Sequence, residues 1–187
     1  MSPGAARATV GSDVAKPDKQ DGFTLIELLV VVAIIGIIAA IGVAQVMRAR
    51  VSANETSAIA SLRAINGGQM SYASAGGQGG FATSLAILAT PCAGGMTGFI
   101  SPDLDPAAPG VTAAGTGVIK SGYTVDMIGN GTPGSLDCNG AITNTNYSTT
   151  AIPLTPGTSG MRGFNSAGAG TIFFDPSGLA TGTTPIQ

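Results

Sequence analysis

The stretch "GFTLIELLVVVAIIGIIAAIG", residues 22–42, decides how the rest of this chain is read. No side chain from Leu28 to Ala44 is polar, and the apolar run as a whole extends from Phe23 to Val46. About 20 apolar residues at about 1.5 Å rise each are enough to cross a bilayer. One acid, Glu27, sits near the head of the run. A charged side chain at mid-bilayer costs about 2.5–3.5 kcal/mol on insertion scales and less towards the edge, so the position of this carboxylate calls for an explanation.

Three readings compete. Glu27 is an edge residue that reaches the interface and has no role. Or the run is a secretory signal cut near "GVA", residues 42–44, although it is longer than the usual 7–15 apolar residues and an acid precedes it. Or the chain is cut between Gly22 and Phe23. The new amine of Phe23 would then lie one helical turn from Glu27, and in a bundle of such helices it can neutralise the Glu27 of a neighbour.

Working outward, residues 1–22 are polar, rich in Pro, Gly, Asp and Lys, and have no apolar period. After the run comes "MRARVSANETSAIASLRAINGGQMSYASA", dominated by good helix formers. Val51, Ala58, Leu62, Ile65 and Tyr72 recur at three, four or seven residues and mark one helical face. Arg48, Asn54, Glu55, Arg63 and Gln69 fall mostly between them. The pattern predicts one unbroken helix over about residues 24–75, weakest at Gly67-Gly68, where each glycine costs about 1 kcal/mol relative to Ala. From Gly76 the texture changes to Gly, Pro and Thr. Residues 76–118 read as a long irregular loop with a helical turn near "SLAILAT". Beyond it, "SGYTVDMIG", "NYSTTAIPL", "MRGFNSA" and "GTIFFDP" read as four short antiparallel strands, the last two joined by a hairpin at "SAGAG". The expected fold class is α+β: a long helix packed by its C-terminal half on a small four-stranded antiparallel sheet.

Composition narrows the function. Charged residues make up 10% of the 187, against about 25% in ordinary soluble domains. The net charge of −2 carries no basic patch of the kind nucleic-acid domains use. Histidine is absent, which removes the commonest general base and metal ligand. The serines have no histidine to activate them and Lys120 is the only lysine beyond the leader, so no catalytic residue, metal ligand or cofactor site is expected. Cys92 and Cys138 form no C-x-x-C pair. They read as one disulfide if the domain lies outside the cytoplasm, and otherwise as two buried thiols.

At this point the residues carry a resemblance. "GFTLIELLVVVAIIGIIAAIG" resembles the N-terminal signature of type IV pilins and of the pseudopilins of type II secretion, and "RARVSANETSAIASLRAIN" is similar to the amphipathic half of a pilin helix. The likeness covers residues 22–66 closely and is only architectural beyond them. It implies that a prepilin peptidase removes a leader, residues 1–22, by cutting after Gly22, and methylates the amine of Phe23. It implies that Phe23 and Glu27 register each subunit in a self-associating helical filament built by inner-membrane machinery. Residues 23–46 would be the membrane and filament-core half of the helix, 47–75 its amphipathic half and 76–187 the globular head. The precursor would sit in a bacterial inner membrane and the product in an extracellular pilus, with a secretion pseudopilus or minor pilin as the alternative and a non-polymerising membrane-anchored binding module as a third. Two features depart from the pattern: Ala44 stands where many such helices have proline, and the leader is longer than the short basic leaders common there.

Smaller motifs carry less. "SPDLDP" offers Asp103 and Asp105 but matches no calcium-loop spacing and reads as a proline-bounded turn. "NET" (54–56) and "NYS" (146–148) match the Asn-glycosylation triplet.

Overall fold

The structure, a computed structural model, describes residues 22–186. All of the expected leader except Gly22 lies outside the described residues. Helix α1 runs Leu25–Ala75, 51 residues. The chain divides into two compact units, Met1–Ile41 and Gly42–Gln187, and the boundary falls within α1.

The described part of the first unit is the apolar start of α1. Val30, Val31, Val32, Ile34, Ile35, Ile37 and Ile38 are β-branched and, in water, mediocre helix formers. In lipid the preference is overridden, because every backbone N–H and C=O must be satisfied within the segment. All of these side chains are exposed, and α1 is long and apolar enough to cross a membrane.

In the second unit, Ala58, Leu62, Ile65 and Tyr72 on α1 are buried against a sheet, each large one contributing about 1.5–3 kcal/mol when fully removed from water. The helix passes through Gly67-Gly68 and stops at Gly76-Gly77, whose N–H groups both donate to the Tyr72 carbonyl, at 2.8 and 2.7 Å. A Cβ at Gly76 would press on the sulfurs of Cys92 and Cys138, so that close approach requires glycine.

The polar residues of α1 do not all face outward. Arg48 and Arg63 are exposed, but Glu55 and Gln69 are buried, as is Asn66. The helical period places them beside the apolar face, and each finds partners there. Gln69 exchanges two hydrogen bonds of 2.9 Å with the backbone of Ala82. Asn66 donates to Ser166 and to the Gly170 carbonyl, and accepts from the Tyr147 hydroxyl.

The sheet has seven strands, not four: β1 (Thr112–Ala114), β2 (Gly117–Lys120), β3 (Tyr123–Leu136), β4 (Ile142–Pro153), β5 (Gly163–Ala167), β6 (Ile172–Asp175) and β7 (Thr184–Pro185). They follow one another as an antiparallel meander in chain order. β3 to β6 contain the four expected strands. The three additional strands are two to four residues long, too short for a period to show. Their turns are the readable part: Ser121 and Gly122, at φ 49° and 74°, join β2 to β3 as the left-handed pair that a two-residue hairpin needs. β3 and β4 alternate as a half-buried pair should, with Tyr123, Val125, Met127, Tyr147, Thr149 and Ala151 all inward. The segment before β1 is less irregular than its composition suggests. Leu85–Ala89 forms α2, capped by the Ser84 hydroxyl, and Pro102–Leu104 forms one 3₁₀ turn.

Candidate functional site

The chemistry the sequence singles out lies at the start of α1. Thr24 is the helix N-cap: its carbonyl accepts the first intrahelical bond, from the N–H of Leu28 at 3.3 Å. Its hydroxyl accepts from the N–H of Glu27 at 3.3 Å, and the Glu27 carboxylate accepts from the N–H of Thr24 at 2.9 Å. The Thr24 hydroxyl also donates to that carboxylate, at 2.6 Å. Thr24-Leu25-Ile26-Glu27 is thus a reciprocal capping box, which satisfies two of the backbone donors a helix start leaves open. The sequence carries the signal for it, a Thr followed three residues later by Glu, at the edge of an apolar run whose hydrophobicity dominates the pattern.

Phe23 precedes the cap and is 91% exposed. It borders an open apolar groove with Ile26, Val30 and Val31, beside Glu27. Gly22 is exposed, outside any helix or strand, and a Cβ added there would meet nothing within 4 Å among the described residues. Among the described residues nothing demands glycine at 22, nor at Gly36 or Gly42, where the same holds. The structure brings Phe23 and Glu27 together on one turn of chain. α1 stays helical through Ala44.

This start of α1 carries the family match. Residues 17–43 match the family model described as the prokaryotic N-terminal methylation motif. The chain carries this motif. That signature is the one shared by type IV pilins and pseudopilins. No curated protein and no solved structure matches the chain.

Other candidate residues sit elsewhere. Cys92 and Cys138 are joined by a disulfide with Cα atoms 5.5 Å apart, tying the segment after α2 to the β3–β4 turn. Beside it Asp137 accepts from the Tyr72 hydroxyl at 2.7 Å and from the N–H groups of Asn139 and Ala141. Burial works to raise the Asp137 pKa, but these donors outweigh it and hold the carboxyl below its ordinary range, while burial and the neighbouring Asp137 push the Tyr72 hydroxyl up. Asp103 forms an ion pair with Lys120 and accepts from Ser101, and Asp105 caps its own turn through the Ala107 N–H. Among the described residues no group of three or more His, Cys, Asp or Glu is placed to hold a metal. Asn54 of the first glycosylation triplet spends its amide on the Ser159 carbonyl at 2.8 Å, half-buried, and Asn146 of the second lies within β4.

An anchor the sequence did not reveal joins α1 to Met161 and Arg162, just before β5. Glu55 accepts from the backbone N–H of Met161 and of Arg162 and takes two bonds from the Arg162 guanidinium, at 2.7 and 3.0 Å. Burial would raise its pKa, yet Arg162 and the two backbone donors hold it below the ordinary glutamate value. The guanidinium also lies over the rings of Phe164 and Phe174, 5.7 and 5.5 Å from their centres. Partners 107 residues apart leave no local signature.

Proposed function

We propose that this chain is the structural subunit of a type IV pilus, matured by cleavage after Gly22 and N-methylation of Phe23, and polymerised through the apolar half of α1. The observation that carries this reading is the methylation motif at residues 17–43, opening a helix whose large apolar side chains from Leu25 to Val46 are about half to four-fifths exposed. Such a surface is stable only in lipid or among like helices, and burying it on assembly supplies the apolar contact that the polar heads lack. A glycine at 22 with no steric demand on it among the described residues fits recognition by the peptidase.

Glu27 has a different role in each state. In the isolated chain the capping box occupies it. Once Phe23 carries a free amine, a neighbouring subunit brings a cation to the same carboxylate, and an ion pair in a water-poor bundle fixes register because either charge alone is costly there. The signature belongs to a structural family rather than an enzyme family, and the work assigned to the chain is assembly. The proposed partners are further copies of itself, the peptidase and the inner-membrane assembly machinery.

Electron microscopy of sheared surface fibres from the producing strain, with identification of their main component, tests the reading. Fibres built of this chain support it. Loss of protein secretion in a deletion strain whose surface fibres persist would instead make it a pseudopilin.

A further inference from the structure

The charges of the second unit separate by place. Two ion pairs form among the described residues, Glu55–Arg162 and Asp103–Lys120, and they use both cations of the head, residues 76–187. The cations left over are all on α1: Arg48, Arg50 and Arg63, exposed and without a carboxylate within 4 Å among the described residues. On the head, Asp137 is buried against Tyr72. Asp105, Asp126 and Asp175 reach the surface with hydrogen-bond donors but, among the described residues, no cation within 4 Å: Ala107 for the first, Thr116 and the Met127 N–H for the second, Ser177 and Thr181 for the third. Those donors hold Asp175 down to about 2, so it remains ionised. Among its described residues each copy therefore presents three guanidinium groups on its helix and three side-chain carboxylates on its head without an opposite charge within 4 Å.

We propose that the exposed face of α1 centred on Arg63 docks on the acidic head of a second copy, with Arg63 facing one of the carboxylates left without a cation there, Asp105 or Asp126. This rests on the filament reading above and adds the surface through which heads follow one another. A contact of head on helix is heterologous: the patch it uses on one copy stays free on the next, so it repeats without closing, as a filament requires. Around Arg63 the exposed neighbours Ala60, Ala64 and Gly67 are short, which leaves the guanidinium clear and allows another surface to approach. Lipid headgroups are the competing polyanion, and Arg48 and Arg50 follow the apolar run closely enough to meet them. Arg63 does not. It lies 17 residues beyond Val46, about 25 Å of helix, whereas the polar layer adds only about 5–8 Å on each side of the hydrocarbon core.

The test is the yield of sheared fibres from a strain expressing the full chain with Arg63→Glu, Arg63→Lys, Asp105→Lys/Asp126→Lys, or Arg63→Glu combined with Asp126→Lys. Immunoblots of mature chain and alkylation of free thiols confirm that each variant is processed and folded. The expected result is at least a tenfold loss for Arg63→Glu and for the double lysine variant, near-normal yield for Arg63→Lys, and partial recovery in the charge swap. Normal fibres from Arg63→Glu overturn the docking and leave the filament reading standing, as does an equal loss in Arg63→Lys, which would make shape rather than charge the requirement. Normal fibres from Arg63→Glu with weaker retention of the processed chain on phosphatidylglycerol vesicles would assign the face to lipid. Absence of fibres from the unaltered chain removes both readings.

Discussion

Glu27 accepts hydrogen bonds from both the backbone N–H and the hydroxyl of Thr24, at 2.9 and 2.6 Å. The acid in the apolar run is thus not bare before assembly, because the helix start that would otherwise leave donors open holds it. The cap and the charge are two separable properties of one side chain, and substitutions at 24 and 27 divide them.

Glu27→Gln keeps an oxygen that can close the capping box but removes the charge, whereas Thr24→Ala removes most of the box and keeps the charge. If the carboxylate neutralises the Phe23 amine of a neighbour, Glu27→Gln and Glu27→Ala both insert, are cut after Gly22, and lose fibres at least tenfold. Thr24→Ala assembles within a fewfold of normal. Abundant fibres from processed Glu27→Gln would show that the acid serves the cap alone.

Gly22→Val is expected to behave in the opposite way. A Cβ at 22 meets nothing within 4 Å among the described residues, so folding of the second unit is expected to be unaffected. The peptidase, which has to admit the Gly22–Phe23 bond, is expected to reject the branched side chain. Immunoblots should show uncut precursor accumulating in the membrane fraction; normal processing would remove Gly22 from the cleavage signal.

Acid should weaken the second unit through Glu55 and Asp137. Both carboxyls are held below their ordinary values in the folded chain. Their stabilisation is therefore complete above the unfolded values, about 4 for Glu and Asp, and is lost as pH falls through the lower folded ones. Thermal unfolding of the detergent-solubilised chain should drop most steeply below about pH 4. Glu55→Ala should cost about 3 kcal/mol, chiefly by orphaning two backbone donors, since Arg162 is exposed enough to hydrate, and should flatten the acid slope. An unchanged slope would place the acid sensitivity elsewhere.

The Cys92–Cys138 bridge closes a loop of sequence separation 46, worth about 4 kcal/mol on the chain-entropy account. Cys92→Ser/Cys138→Ser should lower the unfolding midpoint of the second unit accordingly while leaving cleavage after Gly22 intact. A midpoint shift near zero would show that the Asp137 network alone holds the β3–β4 turn.

What the sequence made legible follows from how local each signal is. The long helix rests on an apolar run and a seven-residue face, Val51 to Tyr72, and both signals lie within the helix itself. β3 and β4 alternate over enough residues to be seen, and β5 and β6 stand out by Phe164, Phe173 and Phe174 between Gly, Asn and Pro, whereas β1, β2 and β7 are short and show themselves only in turns such as Ser121-Gly122. The inward orientation of Glu55, Asn66 and Gln69 was hidden because polarity predicts exposure unless a distant partner is known. Their partners, Arg162, Ser166 and Ala82, are brought in by the sheet and by the segment that follows α1. At the candidate site, Gly22, Phe23 and Glu27 stood out because they interrupt or border a uniform apolar run. Thr24 did not, since one hydroxyl at a helix start reads as ordinary.

Peptide mass mapping of purified surface fibres tests the central claim most directly. The account predicts that this chain is their dominant component and that it begins at Phe23 with one added methyl group on the amine. Fibres lacking the chain, or chains in them that retain residues 1–22, would contradict it.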